Sequence, residues 1–161
     1  MIRTLILILS FSCFLASCSK SDDPGTCTYK ESGTVAPTSE IDSLQRWVTA
    51  NRPAAIKHSS GFFYEIISSG TGTVAPTVCN NVAVRYYGWL FDLTKFDENL
   101  SGLTFSLGNL ITGWQKGIPL IRTGGTIYLY LPPSLGYGST ATGAIPANSY
   151  LIFSVQLLRV E

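Results

Sequence analysis

The sequence contains few histidines and cysteines, which are common ligands of transition metals and common groups in nucleophilic catalysis. It has one histidine, His58, and four cysteines, and these residues do not show the close Cys/His spacing of metal sites. A serine elbow of the hydrolase type is also missing, and His58 has no evident nucleophile associated with it. We therefore expect no metal ion and no cofactor, and the sequence gives no support for a hydrolase.

Charge is scarce and balanced. Only 13% of the residues are charged, with 11 Lys and Arg against 10 Asp and Glu. Because no basic stripe or patch stands out, the sequence argues against a nucleic-acid partner. The hydrophobic fraction is 45%, which is enough for a sizeable core in one compact domain.

Long hydrophobic runs are missing as well. The apolar run at residues 5–15 is too short to cross a bilayer, where about 20 residues are needed. Arg3 precedes it and Leu-Ala-Ser-Cys ends it at Cys18, so residues 1–17 are typical of a secretory signal peptide. The ending resembles the bacterial lipobox, in which the cysteine is acylated. This resemblance implies a lipid-anchored protein of the bacterial cell envelope, in the outer membrane and facing the periplasm or the surface; the alternative is a plain signal peptide.

Processing at Cys18 would leave two cysteines, Cys27 and Cys79, for the folded part of the chain, since Cys13 lies in the signal peptide. In an oxidising compartment they could form a disulfide that pins the N-terminal segment to the domain. The alternative is two separate thiols, and the sequence alone cannot test the geometry that a disulfide needs.

Residues 18–38 are rich in Ser, Thr, Gly, Pro and Asp and lack apolar periodicity, which predicts a flexible linker. Lys-Ser-Asp-Asp at residues 20–23 resembles the acidic export signals of some surface lipoproteins. An ordinary solvated linker explains the same residues, and both interpretations stay open.

A short helical extension is predicted at residues 39–60. Apolar residues recur there at helical spacing, namely Ile41, Leu44, Trp47 and Val48. Ser39 and Asp42 resemble a capping box, and Pro53 ends the pattern, so we expect a helix over residues 39–52. Packing on the domain is the expected role; binding a partner or dimerising is the alternative.

The main domain is predicted at residues 61–161 with an α+β architecture. Alternating, aromatic and β-branched residues predict strands at residues 62–67, 82–90, 103–107, 126–131 and 151–158. Leu110, Ile111, Trp114 and Ile118 recur at helical spacing between them, although Pro119 falls inside this presumed helix. One helix would then cover the apolar face of the sheet.

Several motifs of this domain occur in a recognisable order. Lys-Phe-Asp at residues 95–97 comes first, Leu-Ile-Thr-Gly-Trp at residues 110–114 second, and Leu-Pro-Pro-Ser-Leu-Gly-Tyr-Gly at residues 131–138 third. Ala-Ile-Pro-Ala-Asn-Ser-Tyr-Leu-Ile-Phe follows at residues 144–153. In this order and spacing, residues 61–161 resemble the FKBP-type peptidyl-prolyl isomerases. The resemblance implies a curved antiparallel β-sheet wrapped around one short helix, with an active hollow between the two.

The resemblance also assigns site residues. The catalytic set would be Tyr86, Phe96, Asp97, Trp114, Tyr137 and Phe153. Substrate-binding positions would be Leu103, Leu110, Ile111 and Ile145, and Leu103 falls where the family often has an aromatic residue. Trp114 would form the floor, and the Tyr137 hydroxyl and the Ile145 backbone N–H would bind substrate carbonyls. Phe105 is assigned to the core, and the segment from Phe105 to Trp114 is shorter than in small family members.

The implied function is a peptidyl-prolyl cis-trans isomerase that assists the folding of envelope or secreted proteins. Its partners would be proline-containing polypeptides, macrolide inhibitors and, through the lipid anchor, a membrane. The alternative is a lipid-anchored module that binds proline-containing segments without catalysis or acts like a chaperone. The loop at residues 139–144 offers few side chains that could set a substrate preference.

Overall fold

The computed structural model describes residues 27–161. The predicted signal peptide at residues 1–17, Cys18 and the first part of the predicted linker lie outside the described residues. Within the described part of the chain, no helix has the length and apolar character needed to cross a membrane.

Residues 27–161 form one six-stranded antiparallel sheet and two α-helices. The strands are β1 (Ile56–Lys57), β2 (Phe63–Ser68), β3 (Asn81–Leu90), β4 (Lys95–Ser106), β5 (Thr126–Leu131) and β6 (Leu151–Val160). Their order across the sheet is β1-β2-β5-β6-β3-β4, which leaves β4 at one edge. The helices are α1 (Thr38–Asn51) and α2 (Thr112–Gly117). The predicted α+β architecture is confirmed.

One face of the sheet packs against α2. Successive strand residues point to opposite faces, and in β6 the buried inner-face residues are Leu151, Phe153, Val155 and Leu157. A Cβ atom at Gly113 or Gly117 of α2 would collide with Leu131 or Leu129 of β5, so these two glycines allow the close helix–sheet contact. Because α2 ends at Gly117, Pro119 lies in a following 3₁₀ turn (Ile118–Leu120) and not inside an α-helix, where the sequence predicted it.

The other face of the sheet packs against α1. Leu44 and Val48 of this helix contact Phe63, Tyr130 and Ile152 on three neighbouring strands. The helix begins one residue earlier than predicted, with Pro37 as its N-cap and no side-chain cap. The capping box predicted from Ser39 and Asp42 is therefore wrong, because Ser39 already lies inside the first helical turn.

Residues 27–37, called here the N-terminal strap, pack against the domain. Cys27 forms a disulfide with Cys79. The ring of Tyr29 lies against Gly108, where a Cβ atom would collide with it. At the other end, Ala36 is buried and its N–H donates to the carbonyl of Ser60 at 3.0 Å. This part of the predicted flexible linker is thus held by a covalent bond, an aromatic contact and a backbone hydrogen bond.

Candidate active site

A hollow of about 320 Å³ opens between the sheet and α2. Its lining residues are Tyr86, Asp97, Phe105, Asn109, Leu110, Ile111, Trp114, Tyr137 and Phe153. Seven of the ten predicted site residues belong to this lining. Phe96, Leu103 and Ile145 do not.

Trp114 forms the floor of the hollow and is only 5% exposed. The rings of Tyr86 and Phe153 each stand nearly perpendicular to the indole, with centroids 5.2 Å away. Phe105 makes a longer edge-to-face contact at 6.5 Å. Such edge-to-face pairs are a favoured aromatic geometry, so the rings hold one another in place and the apolar hollow exists before any ligand binds.

Phe96 supports the hollow from behind. Its ring is perpendicular to that of Phe153, with centroids 5.6 Å apart. A Cβ atom at Gly88 would lie 2.7 Å from the Phe96 ring, so the glycine on β3 makes room for this ring. The structure therefore gives Phe96 a packing contact with a wall residue and no surface in the hollow itself.

Asp97 is the charged residue of the hollow lining in the described chain. Its Oδ2 accepts a hydrogen bond from the Tyr86 hydroxyl at 2.7 Å, and its Oδ1 accepts one from the Glu98 N–H at 2.8 Å. Burial and the bond to Asp97 raise the pKa of Tyr86 well above its ordinary value. Tyr86 is therefore a protonated donor that fixes the orientation of the carboxylate.

Tyr137 projects from a turn between two glycines. The turn follows a 3₁₀ segment (Pro133–Leu135), and Gly138 adopts a positive φ of 64° while its N–H donates to the Pro133 carbonyl at 2.9 Å. Burial, and then the Asp97 carboxylate, raise the pKa of the Tyr137 hydroxyl. No hydrogen bond joins this hydroxyl to another group of residues 27–161, so the hollow holds a protonated donor with no internal partner.

The predicted role of the Ile145 backbone is wrong. Its N–H donates to the Thr142 carbonyl at 2.9 Å, and the Thr142 N–H donates to the Ile145 carbonyl at the same distance. The two residues thus form an isolated antiparallel β-bridge. Ile145 itself is 6% exposed and belongs to the core. A donor already satisfied inside a tight loop is not free to bind a substrate carbonyl.

Ile111 offers a backbone donor in its place. Its carbonyl accepts the N–H groups of Trp114 and Gln115 at the start of α2, at 2.9 and 3.1 Å. Its own N–H has no hydrogen-bond partner within the described part of the chain. The unsatisfied amides at the start of a helix are a consequence of helix geometry, and here one of them belongs to a residue that lines the hollow.

Three further residues differ from the sequence expectation. Leu103 lies on the edge strand β4, is 43% exposed and does not line the hollow. Phe105, assigned to the core, does line it. Asn109 also lines the hollow and was not predicted to do so. It lies in a 3₁₀ turn (Leu107–Asn109) within the shortened segment from Phe105 to Trp114, and the short length of this segment was the sequence feature that could have indicated its position.

The chemistry of this lining is that of a binding surface. Apolar rings surround a space that suits a small hydrophobic ring, and hydroxyl and amide donors at its edge could bind carbonyl oxygens. Among residues 27–161, no three His, Cys, Asp or Glu side chains group together as candidate metal ligands.

Comparison with known proteins places these features in a family. The family model described as FKBP-type peptidyl-prolyl cis-trans isomerase matches residues 72–158. FkpA of Buchnera aphidicola subsp. Schizaphis graminum is 42% identical over 108 residues, which cover 65% of this chain and 43% of that protein. FkpA of Escherichia coli K12 is 40% identical over 106 residues, covering 64% and 39%. Mip of Coxiella burnetii is 35% identical over 115 residues, covering 69% and 50%.

Solved structures show the same likeness. The crystal structure of FkpA from Escherichia coli matches with a TM-score of 0.69 and 33% identity, covering 76% of this chain and 58% of that one. A peptidyl-prolyl isomerase from Pseudomonas syringae pv. tomato matches with a TM-score of 0.67 and 28% identity, covering 80% and 99%. The matches span half or less of the length of the three curated relatives described above.

Proposed function

This chain belongs to the family of FKBP-type peptidyl-prolyl cis-trans isomerases, and we propose that its hollow catalyses rotation about X-Pro bonds. The observation that carries this proposal is an apolar aromatic hollow whose edge holds hydrogen-bond donors with no internal partner. Such a site suits a reaction in which no covalent bond is made or broken.

The reaction is slow because of amide resonance. The barrier to rotation of a peptide bond is about 18–20 kcal/mol, and X-Pro bonds exchange in tens to hundreds of seconds although both isomers are populated. Twisting the bond breaks the resonance and makes the carbonyl less polar. A dry hollow disfavours the polar planar amide more than the twisted one, so it binds the transition state more tightly than the substrate.

Each residue of the hollow has its own role in the proposed mechanism. In our proposal the proline ring lies on Trp114, between the perpendicular rings of Tyr86 and Phe153. The Tyr137 hydroxyl and the Ile111 N–H donate to carbonyl groups that flank the proline. The Tyr86–Asp97 pair holds a carboxylate at the edge, beside the carbonyl that rotates. Leu110 completes the apolar wall.

We also propose that this isomerase is lipid-anchored at Cys18 in the bacterial cell envelope, where it assists the folding of secreted or envelope proteins. The support is the basic residue, short apolar run and Leu-Ala-Ser-Cys ending at the start of the sequence. The substrates are proline-containing polypeptides, and macrolides of the kind that bind this family would compete with them.

The proposed activity can be measured by NMR exchange spectroscopy on a short peptide with one X-Pro bond. We expect the full chain, at micromolar concentration, to accelerate cis/trans exchange and a macrolide to suppress the acceleration. A peptide with alanine in place of proline is the control for nonspecific binding. If the X-Pro peptide binds in the hollow but its exchange rate stays at the uncatalysed value, the protein is a binding module and the enzymatic proposal fails.

A further inference from the structure

The side-chain amide of Asn109 lies at the hollow and is bonded to a residue from a distant part of the chain. This residue, Asn109, ends the 3₁₀ turn (Leu107–Asn109) between β4 and α2, and it belongs to the lining of the hollow. Its Oδ1 accepts a hydrogen bond from the Tyr29 hydroxyl at 2.9 Å. Tyr29 belongs to the N-terminal strap, 80 residues earlier in the chain.

This hydrogen bond decides what Asn109 can offer to a ligand. An asparagine side chain has one carbonyl acceptor and an NH₂ group with two donors. With one lone pair of Oδ1 bound to the Tyr29 hydroxyl, the amide is held in one of its two orientations. The Nδ2 group makes no hydrogen bond within residues 27–161, so both of its N–H groups are available to a ligand.

The strap that carries Tyr29 is firmly attached on both sides. Cys27 is bonded to Cys79 two residues before Tyr29, and the Ala36 N–H donates to Ser60 beyond it. Between these points the Tyr29 ring packs on Gly108, the residue next to Asn109. The hydroxyl is thereby fixed in position before any substrate arrives, and such preorganisation lowers the entropy cost of binding.

The backbone of the same turn is held without the strap. The Gln115 side chain of α2 donates to the carbonyls of Gly108 and Leu110, at 3.1 and 2.7 Å. Loss of the Tyr29 hydroxyl therefore releases the Asn109 side chain and leaves the turn in place. This separation makes the role of Tyr29 testable apart from the fold.

We propose that Asn109 is a substrate-binding residue, whose side-chain NH₂ donates a hydrogen bond to a backbone carbonyl of the bound peptide, and that Tyr29 of the disulfide-held strap is its positioning residue. The proposal rests on the proposed function, because it assumes that the hollow binds an X-Pro peptide. It adds a polar contact outside the aromatic set and gives the strap a part in substrate binding.

The test uses three substitutions in the full chain. Asn109→Ala removes the amide, Asn109→Asp keeps an acceptor for Tyr29 but removes the donor, and Tyr29→Phe removes the hydroxyl while keeping the ring on Gly108. Affinity for one X-Pro peptide is measured by NMR titration, and the exchange rate is measured at saturating peptide. Ser32→Ala, elsewhere on the strap, is the matched control, since within residues 27–161 the Ser32 hydroxyl bonds only to Thr34.

We expect each Asn109 variant to bind the peptide about 2- to 13-fold more weakly, the range of one hydrogen bond, with the rate at saturation changed less than about twofold. Tyr29→Phe should weaken binding in the same direction, and Ser32→Ala should not. Adding Tyr29→Phe to Asn109→Ala should cause no further loss, because Tyr29 acts only through the amide. Replacing Cys27 and Cys79 together by serine should resemble Tyr29→Phe.

Two results would overturn the inference. Wild-type affinity in both Asn109 variants would show that the amide does not bind substrate. Fully additive losses from Tyr29→Phe and Asn109→Ala would show that Tyr29 does not act through it. The proposed function fails by a different result, in which the wild-type chain binds the peptide but does not accelerate its cis/trans exchange. In that case the peptide affinities of the variants still decide whether Asn109 binds the peptide. If the wild-type chain binds no X-Pro peptide, both proposals fail.

Discussion

The hydroxyl of Tyr86 donates a hydrogen bond across two neighbouring strands to Oδ2 of Asp97, with the oxygens 2.7 Å apart. This bond joins an aromatic wall of the hollow to its charged residue. The same carboxylate contributes to the raised pKa of both Tyr86 and Tyr137. Asp97 therefore helps to keep two hydroxyl groups protonated at the edge of the hollow.

Tyr86→Phe should separate the orientation of Asp97 from the shape of the hollow. The ring stays, so the fold should persist, but the carboxylate loses the donor that fixes it. We expect kcat/KM for an X-Pro peptide to fall roughly tenfold, which corresponds to about 1.36 kcal/mol of transition-state stabilisation. Tyr87→Phe is the matched control, because Tyr87 is the next residue on β3 and stacks on Trp89 outside the hollow. Equal losses in both variants would contradict the role given to Asp97.

Tyr137→Phe should affect binding without affecting stability. Tyr137 is 37% exposed and its hydroxyl has no partner in the described chain, so thermal unfolding should shift little. Affinity for the peptide and for a macrolide should fall about 2- to 13-fold, as expected for one hydrogen bond. Calorimetry and titration measure the two effects. A variant that unfolds several degrees earlier but binds and isomerises normally would make Tyr137 a structural turn residue.

Trp114 should matter to both stability and function. Trp114→Ala removes a buried aromatic side chain, at a cost of about 3–5 kcal/mol of unfolding free energy. Trp114→Phe keeps a ring and removes a buried indole N–H that has no partner in the described chain, so it should cost less stability. Both variants should lose most of the isomerase activity, since the floor changes shape. Trp89→Phe on the other face of the sheet is the control, and its exchange rate should stay at the wild-type value.

Acid should weaken the fold through His58. Burial, and secondly the charge of Lys116, lower the pKa of His58 below its ordinary value of 6.5. The unfolded chain therefore takes up a proton more readily than the native one as the pH falls. The stability contributed by neutral His58 is fully present above about pH 6.5 and is lost as the pH falls through the native pKa.

This effect can be tested by measuring the free energy of unfolding at several pH values between 7.5 and 5. His58→Asn is the informative variant, because its side-chain oxygen can still accept the Ser60 N–H that now bonds to His58 Nδ1 at 3.1 Å. We expect its stability to depend less on pH than that of the wild type. His58 lines a small surface cleft, and the charged residues Glu31 and Lys116 line the same cleft. An NMR titration that places the native pKa of His58 above 6.5 would contradict the prediction.

Cys18→Ser should abolish the proposed lipid anchor. Labelling of cells with a radioactive fatty acid, followed by detergent partitioning, should detect lipid on the wild-type protein and none on the variant. Cys13→Ser is the matched control, because Cys13 lies within the predicted signal peptide and should not alter lipidation. If the Cys18→Ser protein still carries lipid, the lipobox interpretation is wrong.

Some residues that line the hollow could be predicted from the sequence, and others could not. Trp114, Tyr137 and Asp97 stand in short, ordered motifs, and each of them lines the hollow. The role of Ile145 was assigned wrongly, because a hydrogen bond to a residue three positions earlier is a property of the folded loop. Leu103 was misplaced for a similar reason, since exposure on an edge strand depends on how the sheet ends.

The sequence by itself determined the parts that depend on local pattern. Alternation in β6 separated Leu151, Phe153, Val155 and Leu157 from Ile152, and the fold buries them on opposite faces. Only the tertiary structure decided which distant groups meet. The Tyr29–Asn109 contact joins residues 80 positions apart, and the cystine joins residues 52 apart. Pairings of that kind depend on how the chain closes in space, because no periodicity along the sequence records a contact between residues so far apart.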